Sequence, residues 1–322
     1  MSPDYRVEGS DEPDSPGSDD AETRECVVGD TLHGSRLDKA LVSFVPEFSR
    51  SHLQTLVDGG HVTVDGRAIT TASRKVLAGQ RIAVELVPTP ESQAFRPEDV
   101  PLSVLFEDDH LLVIDKAAGV VVHPAAGNWS GTILNGLLAH HKAAATLPRA
   151  GIVHRLDKDT SGLMVVGKSL QAVTALVREI AARNVHRQYL AIAHGVPRSD
   201  TLRIEAPIGR DPQSRVRMAV VASGKPAMTD VQVLVHSDTF SGLRCTLHTG
   251  RTHQIRVHLA SRGHPLVGDA VYGGSNVLGM QRQALHAQRL AFEHPILGTP
   301  LEFIAEPPAD FVAAWKQITP GH

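Results

Sequence analysis

In the run His154-Arg155-Leu156-Asp157-Lys158-Asp159-Thr160-Ser161-Gly162, one carboxylate, Asp157, stands between two cations in a polar, turn-prone segment. An apolar run, Leu163-Met164-Val165-Val166, follows at once. Flanking cations favour an ionised aspartate, and a strand beside it fixes where the charge points. That suits a nucleophile or a base better than an acid. The same residue types also build ordinary surface turns, so the rest of the chain has to decide.

Three further groups bear on the decision. Tyr189 begins an apolar alternation, Tyr189-Leu-Ala-Ile-Ala193, and shares a face with Ala191 and Ala193, small neighbours that leave room for a flat ligand. A core aromatic would look the same. Gly250-Arg251-Thr252-His253-Gln254-Ile255-Arg256-Val257-His258-Leu259 predicts a helix opening at Thr252, with Ile255 and Leu259 inward and Arg256 on another face. Its donor-rich start suits an anion as well as a plain polar helix end. His123, His154, His248, His253, His258, His264 and His286 raise the question of a metal, but none has the spacing of a helical zinc motif or an obvious completing carboxylate. No metal and no cofactor are expected, and no phosphate-binding glycine loop is present.

The elements that must position these groups follow from the chain as a whole. A length of 322 residues suggests about two domains, and 42% apolar residues are typical of a globular protein. No apolar run approaches the roughly eighteen residues of a membrane span. No signal peptide is evident, and Cys26 and Cys245 make no disulfide framework, so a cytoplasmic location is the expectation. The net charge of -3 is unevenly spread: residues 1–26 hold nine acidic groups against Arg6 and Arg24. That acidic, Ser-, Pro- and Gly-rich head reads as disordered through residue 30. The remaining body is mildly basic, which permits RNA as a partner.

Residues 34–87 read as one small unit. Leu37, Leu41 and Phe44 predict a helix stopped by Pro46, and Ser49 or Ser51 caps a second one carrying Leu53, Leu56 and Val57 up to Gly59-Gly60. His61-Val-Thr-Val64 and Arg81–Val87 alternate as strands, with Asp65-Gly66 as a tight turn. Arg36-Leu37-Asp38-Lys39, Ser49-Arg50-Ser51, Gly60–Gly66 and Ala78–Ile82 strongly resemble an S4-type RNA-binding domain. The resemblance implies that arginines such as Arg36 and Arg50 meet RNA phosphates.

A proline-punctuated linker at 88–101 leads to a larger domain, 102–318. Val104–Phe106 and Leu111–Ile114 read as a strand pair, Gly119–Val122 as more strand, and Ser169 as the cap of a helix with Leu170, Val173, Leu176, Val177 and Ile180 on one face. Hairpin-like strands with a few helices between them give an α+β class with a mixed, mainly antiparallel sheet.

Across residues 36–305 the motifs resemble those of the RluA/RluD-type pseudouridine synthases. They are His154–Met164, Lys116-Ala-Ala-Gly119-Val-Val-Val-His123-Pro124, Arg187-Gln-Tyr189-Leu, Gly250–His258, His264-Pro-Leu-Val-Gly-Asp269 and Leu285-His286-Ala287, in the family's order. Ala117 stands where the family usually has proline. The resemblance implies that Asp157 is the catalytic aspartate, that Arg256 pairs with it, and that Tyr189 lies against the target uracil. It further implies that Leu290 walls the base pocket and that Arg155 holds the RNA once a base has flipped. His123, Arg251 and His253 are further candidates for RNA or pocket contacts.

The implied reaction detaches uracil from ribose, turns it and rejoins it through carbon, without oxidation. One ionised carboxylate is chemically adequate, because the base is never released and carries its own delocalised charge. Asp159 is read as a turn-former rather than a second acid. The expectation is a monomeric, cofactor-free enzyme acting on large-subunit (23S) ribosomal RNA. Alternatives are a transfer RNA synthase, a non-catalytic RNA-binding or ribosome-assembly factor of the same fold, and a metal-dependent hydrolase using the histidines.

Overall fold

The computed structural model describes residues 22–87, 94–214 and 217–319. The chain divides between residues 93 and 94 into two units.

The first unit contains β1 (Glu22–Val27), α1 (Leu37–Phe44), α2 (Arg50–Asp58), β2 (Val62–Val64), β3 (Arg67–Ala68) and β4 (Arg81–Leu86). Leu37, Leu41, Leu53, Leu56 and Val57 meet Val62, Val64, Ile82 and Val84 in its core. Ser49 accepts the His52 amide at the start of α2. Asp65 and Gly66, with φ of 51° and 75°, turn β2 into β3. The four strands pair antiparallel in the order β1-β4-β2-β3.

Strand β1 corrects the expectation of disorder through residue 30; residues 1–21 lie outside the described ones. Its side chains are mostly exposed, so apolar alternation does not betray it. Backbone pairing along β4, from Glu22 with Leu86 to Val27 with Arg81, holds it instead. Arg24 adds ion pairs to Glu22 and Glu47.

The second unit contains β5 (Ser103–Glu107), β6 (Leu111–Lys116), α3 (Ile133–His140), β7 (Ser161–Gly167), α4 (Leu170–Ala182), β8 (His186–His194), β9 (Thr201–Glu205), β10 (Ile208–Arg210), β11 (Met218–Val220), β12 (Met228–His236), β13 (Phe240–Leu247), α5 (Gln254–Ser261), β14 (Leu285–Glu293), β15 (Pro300–Ile304) and α6 (Ala309–Ile318). Its main sheet has nine strands, β5-β6-β7-β14-β8-β13-β12-β9 with β15 also beside β14. Every pairing in it is antiparallel except β7 with β14, so the sheet is mixed. Part of the expected linker belongs to this unit: Ala94 is buried, and Asn135 donates to the carbonyls of Ala94 and Arg96. Residues 88–93 lie outside the described ones.

Three local expectations need correction. Gly119–Val122 is not a strand. Gly119 has a φ of 90°, and the buried Lys116 ammonium draws in the carbonyls of Ala117 and Val120, so the chain folds back. On α4, Leu170 and Val177 point outward, whereas Ala172, Val173 and Leu176 are buried. Helix α5 opens at Gln254 rather than Thr252, because His253 takes the left-handed conformation, φ 56°.

Candidate active site

The loop carrying Asp157 is held at both ends before any ligand is considered. Lys116, 1% exposed, donates to the carbonyls of Ala117, Val120 and Lys158 at 2.8, 2.9 and 2.9 Å. Three carbonyls thus fix the turn where Ala117 replaces the family's proline to the residue next to Asp157. Burial pushes the Lys116 pKa down to about 8. Gly119 also donates to Lys158 O, and Thr160 donates to Asp157 O. Arg282 holds the Asp159 carbonyl at 2.9 Å, and among the described residues no hydrogen bond reaches the Asp159 carboxylate. The reading of that side chain as a backbone cap is therefore corrected. Beyond the loop, Gly162 adopts a φ of 112°, and a Cβ there would lie 2.3 Å from the Ala287 carbonyl. Only glycine lets β7 run this close to β14.

From α5, Arg256 reaches the aspartate. Its Nη1 donates to Asp157 Oδ2 at 3.1 Å, while Nε and Nη2 bind Asp269 at 2.7 and 2.9 Å. Arg256 and Asp269 are 5% and 1% exposed. Burial opposes the guanidinium's charge, but Asp269 and Asp157 outweigh it and hold the Arg256 pKa above its ordinary value. The Tyr272 ring lies under the Arg256 guanidinium, 5.0 Å from its centre. Tyr272 Oη accepts the Met218 amide and bonds His253 Nδ1 at 2.8 Å, which leaves His253 Nε2 3.9 Å from Asp157 Oδ1. Of the hydroxyl's two partners only Nδ1 can accept the phenol proton, and with Nδ1 accepting, the neutral His253 carries its proton on Nε2, facing Asp157. Burial favours that neutral form.

A cleft of about 780 Å³ opens over these groups. It brings together Asp157, Tyr189, Arg256, Arg155, His123, Arg251 and His253, all named from the sequence. Tyr189, 5% exposed, shares a core cluster with Ala191 and Ala193 as its alternation predicts. Burial raises its phenol pKa, so it stays protonated. Arg251 is tied back by its Nε to Pro226 O at 3.1 Å. Burial and the nearby Arg155 and Arg149 push His123 down to about 4.

Leu290 does not line the cleft, which corrects its assignment to the base pocket. It is 1% exposed in a separate cluster with Leu163, Val165, Leu176 and Phe292. Leu285, five residues earlier and so roughly 16 Å back along the same strand, lines the cleft instead. Arg36 and Arg50 belong to the other unit, where both grip the fully buried Asp38 at 3.0 and 2.8 Å. Gln54 completes that carboxylate's partners and leaves both arginines about half exposed. The histidines serve separate bonds: His258 with Thr229 and Ala206, His286 with Ser161 and Ala305, His248 with Asp230.

Sequence reasoning missed Asp269, Tyr272, Leu285 and Lys116 as parts of the site, together with Arg149, Arg183 and Arg187 of the cleft wall. Asp269, Leu285, Lys116 and Arg187 all fall inside the motif segments, so position within a motif was the available signal.

Comparison with known proteins agrees with this geometry. Residues 110–261 match the RNA pseudouridylate synthase family, and residues 35–82 match the S4 domain. Ribosomal large subunit pseudouridine synthase D of Nitrosomonas europaea is 48% identical over 98% of this chain and 92% of its own. The protein of the same name from Neisseria meningitidis serogroup B is 47% identical over 94% of this chain and 83% of its own. Among solved structures, human RNA pseudouridylate synthase domain containing 1 aligns with a TM-score of 0.52 and 29% identity, covering 66% of this chain and 85% of that one. With its aspartate, arginine and tyrosine gathered in one cleft and an S4 domain in front, the chain belongs to the RNA pseudouridylate synthase family.

Proposed function

We propose that this protein converts uridines of large-subunit (23S) ribosomal RNA to pseudouridine, with Asp157 as the essential carboxylate. The observation that supports this most is the Arg256–Asp157 bond inside a cleft that Tyr189 also lines. It occurs in a chain whose near-full-length relatives bear the name ribosomal large subunit pseudouridine synthase D. In the reaction the N1–C1′ bond of uridine breaks and a C5–C1′ bond forms. The C5 proton leaves and N1 gains one, so the change is an isomerisation. Asp157 acts at the ribose or the base, Arg256 keeps it ionised and aimed, and Tyr189 packs against the uracil. Arg155 supports the RNA from the cleft rim once the uridine has been turned out, a step that costs a few kcal/mol. Phosphate contacts from the S4 domain, Arg36 and Arg50 among them, offset that cost.

The protein is read as acting in the cytoplasm as a monomer, with Asp157, Tyr189 and Arg256 lining one cleft of a single chain. No helix among the described residues is long and apolar enough to cross a membrane.

The test is to map pseudouridine, by carbodiimide adducts and primer extension, in RNA from cells lacking the protein. The map is repeated after incubation with the purified chain. New pseudouridines in 23S RNA support the reading. Modification confined to transfer RNA would replace the substrate, and none in either would leave a binding factor.

A further inference from the structure

Arg187 lies on β8 two residues before Tyr189, on the same face, and lines the cleft while only 6% exposed. Its Nε is buried without a hydrogen-bond partner. No described carboxylate pairs with it; Asp157, which lines the same cleft, is taken by Arg256. A buried cation lacking a counter-charge is costly to a protein, and such a group persists where something else completes it.

The neighbouring groups share the deficit. His154 Nε2 accepts the Val165 amide at 3.1 Å, so its neutral ring carries the proton on Nδ1. That Nδ1 is also buried without a partner, as is Nε2 of His123, and both residues line the same cleft. Burial and the adjacent Arg187 hold His154 neutral, pushed down to about 3. Gly250 makes the space: a Cβ there would stand 3.0 Å from Arg187 Nη1. Arg149 and Arg183 line the cleft too, and Arg149 and Ala150 both sit at left-handed φ, 52° and 53°. Strain of that kind in residues other than glycine gathers at binding sites.

We propose that Arg187 and the Nδ1–H of His154 form a receptor at the cleft floor for an anionic oxygen of the inserted nucleotide. Two oxygens fit this chemistry: one on a backbone phosphate, or a carbonyl oxygen of the uracil, which carries charge once its bond to ribose has broken. The assignment rests on the RNA-modifying reading above. It separates Arg187 from Arg256, whose charge is already spent on two aspartates.

The test compares wild type with Arg187→Met in thermal melting, RNA affinity across a salt series, and turnover of a 23S RNA fragment. A structural arginine would lower the melting temperature when lost. Here Arg187→Met is expected to melt at or above wild type, because it removes an uncompensated cation. It is also expected to lose about tenfold or more in kcat/KM, as for a missing bond to a charged group. If affinity falls and the salt slope drops by about one, the oxygen belongs to a phosphate. If the chemical step slows at unchanged affinity, it belongs to the uracil. A melting temperature below wild type, or a loss in kcat/KM smaller than about fivefold, overturns the proposal. A wild-type chain that binds but turns over no RNA overturns the functional reading instead, while melting and affinity still judge Arg187.

Discussion

Arg256 is bound to Asp269 by two hydrogen bonds and to Asp157 by one, so the aspartate proposed to react is aimed by a second, buried aspartate that never meets the cleft. The bidentate pair fixes the plane of the guanidinium, and the remaining nitrogen points where Asp157 must be. Asp269→Ala is expected to destabilise the protein by about 3–5 kcal/mol, as when one partner of a buried ion pair is removed. The rate should fall at least tenfold even where the variant is fully folded, because Arg256 loses its anchor. Urea unfolding and single-turnover assays measure the two effects; a folded variant at wild-type rate would show that Asp269 only packs.

Lys116 acts on Asp157 through the backbone. Lys116→Met strands the carbonyls of Ala117 and Val120, at about 1–3 kcal/mol for each one left buried and unpaired, and leaves Lys158 O with the Gly119 amide alone. The loop should loosen, lowering kcat about tenfold or more while RNA affinity stays within twofold, since Lys116 is buried away from solvent. A loss confined to affinity would contradict this.

Acid should expose His154. Its pKa is about 3 in the folded chain against an ordinary 6.5, so the unfolded chain takes up a proton first as pH falls. The stabilising contribution is complete above pH 6.5 and is lost progressively below it, until the folded form also protonates near pH 3. Between pH 7.5 and 5.0 wild type should lose about 2 kcal/mol more stability than His154→Gln, which has nothing to protonate there. Chemical denaturation at the two pH values checks it; parallel losses would mean that His154 does not titrate as its burial dictates.

Much of the fold was legible because it rests on local chemistry. Ser49 and Ser169 cap helices where the sequence put caps, and Asp65-Gly66 turns where a tight turn was expected. Strand β1 was not legible, since its polar side chains hide a strand held by backbone pairing with β4. In the site, Asp157, Tyr189 and Arg256 were named from motifs and meet in one cleft. Asp269 stood in a motif without a role of its own, because its partner is thirteen residues away on a helix. Leu290 and Leu285 are both apolar residues of one strand, and only the cover supplied by α4 and β7 tells the buried one from the cleft-lining one. Arg187 was legible only as a member of a motif: its role rests on no described carboxylate pairing with it, and absent partners cannot be read from a sequence.

The central claim is that Asp157 performs the isomerisation. Release of tritium from RNA labelled at C5 of uridine follows the loss of the C5 proton directly. Wild type is predicted to release label from 23S RNA in step with pseudouridine formed, and Asp157→Ala, folded and still binding RNA, to release none above background. Release by Asp157→Ala at a rate near that of wild type would contradict the account.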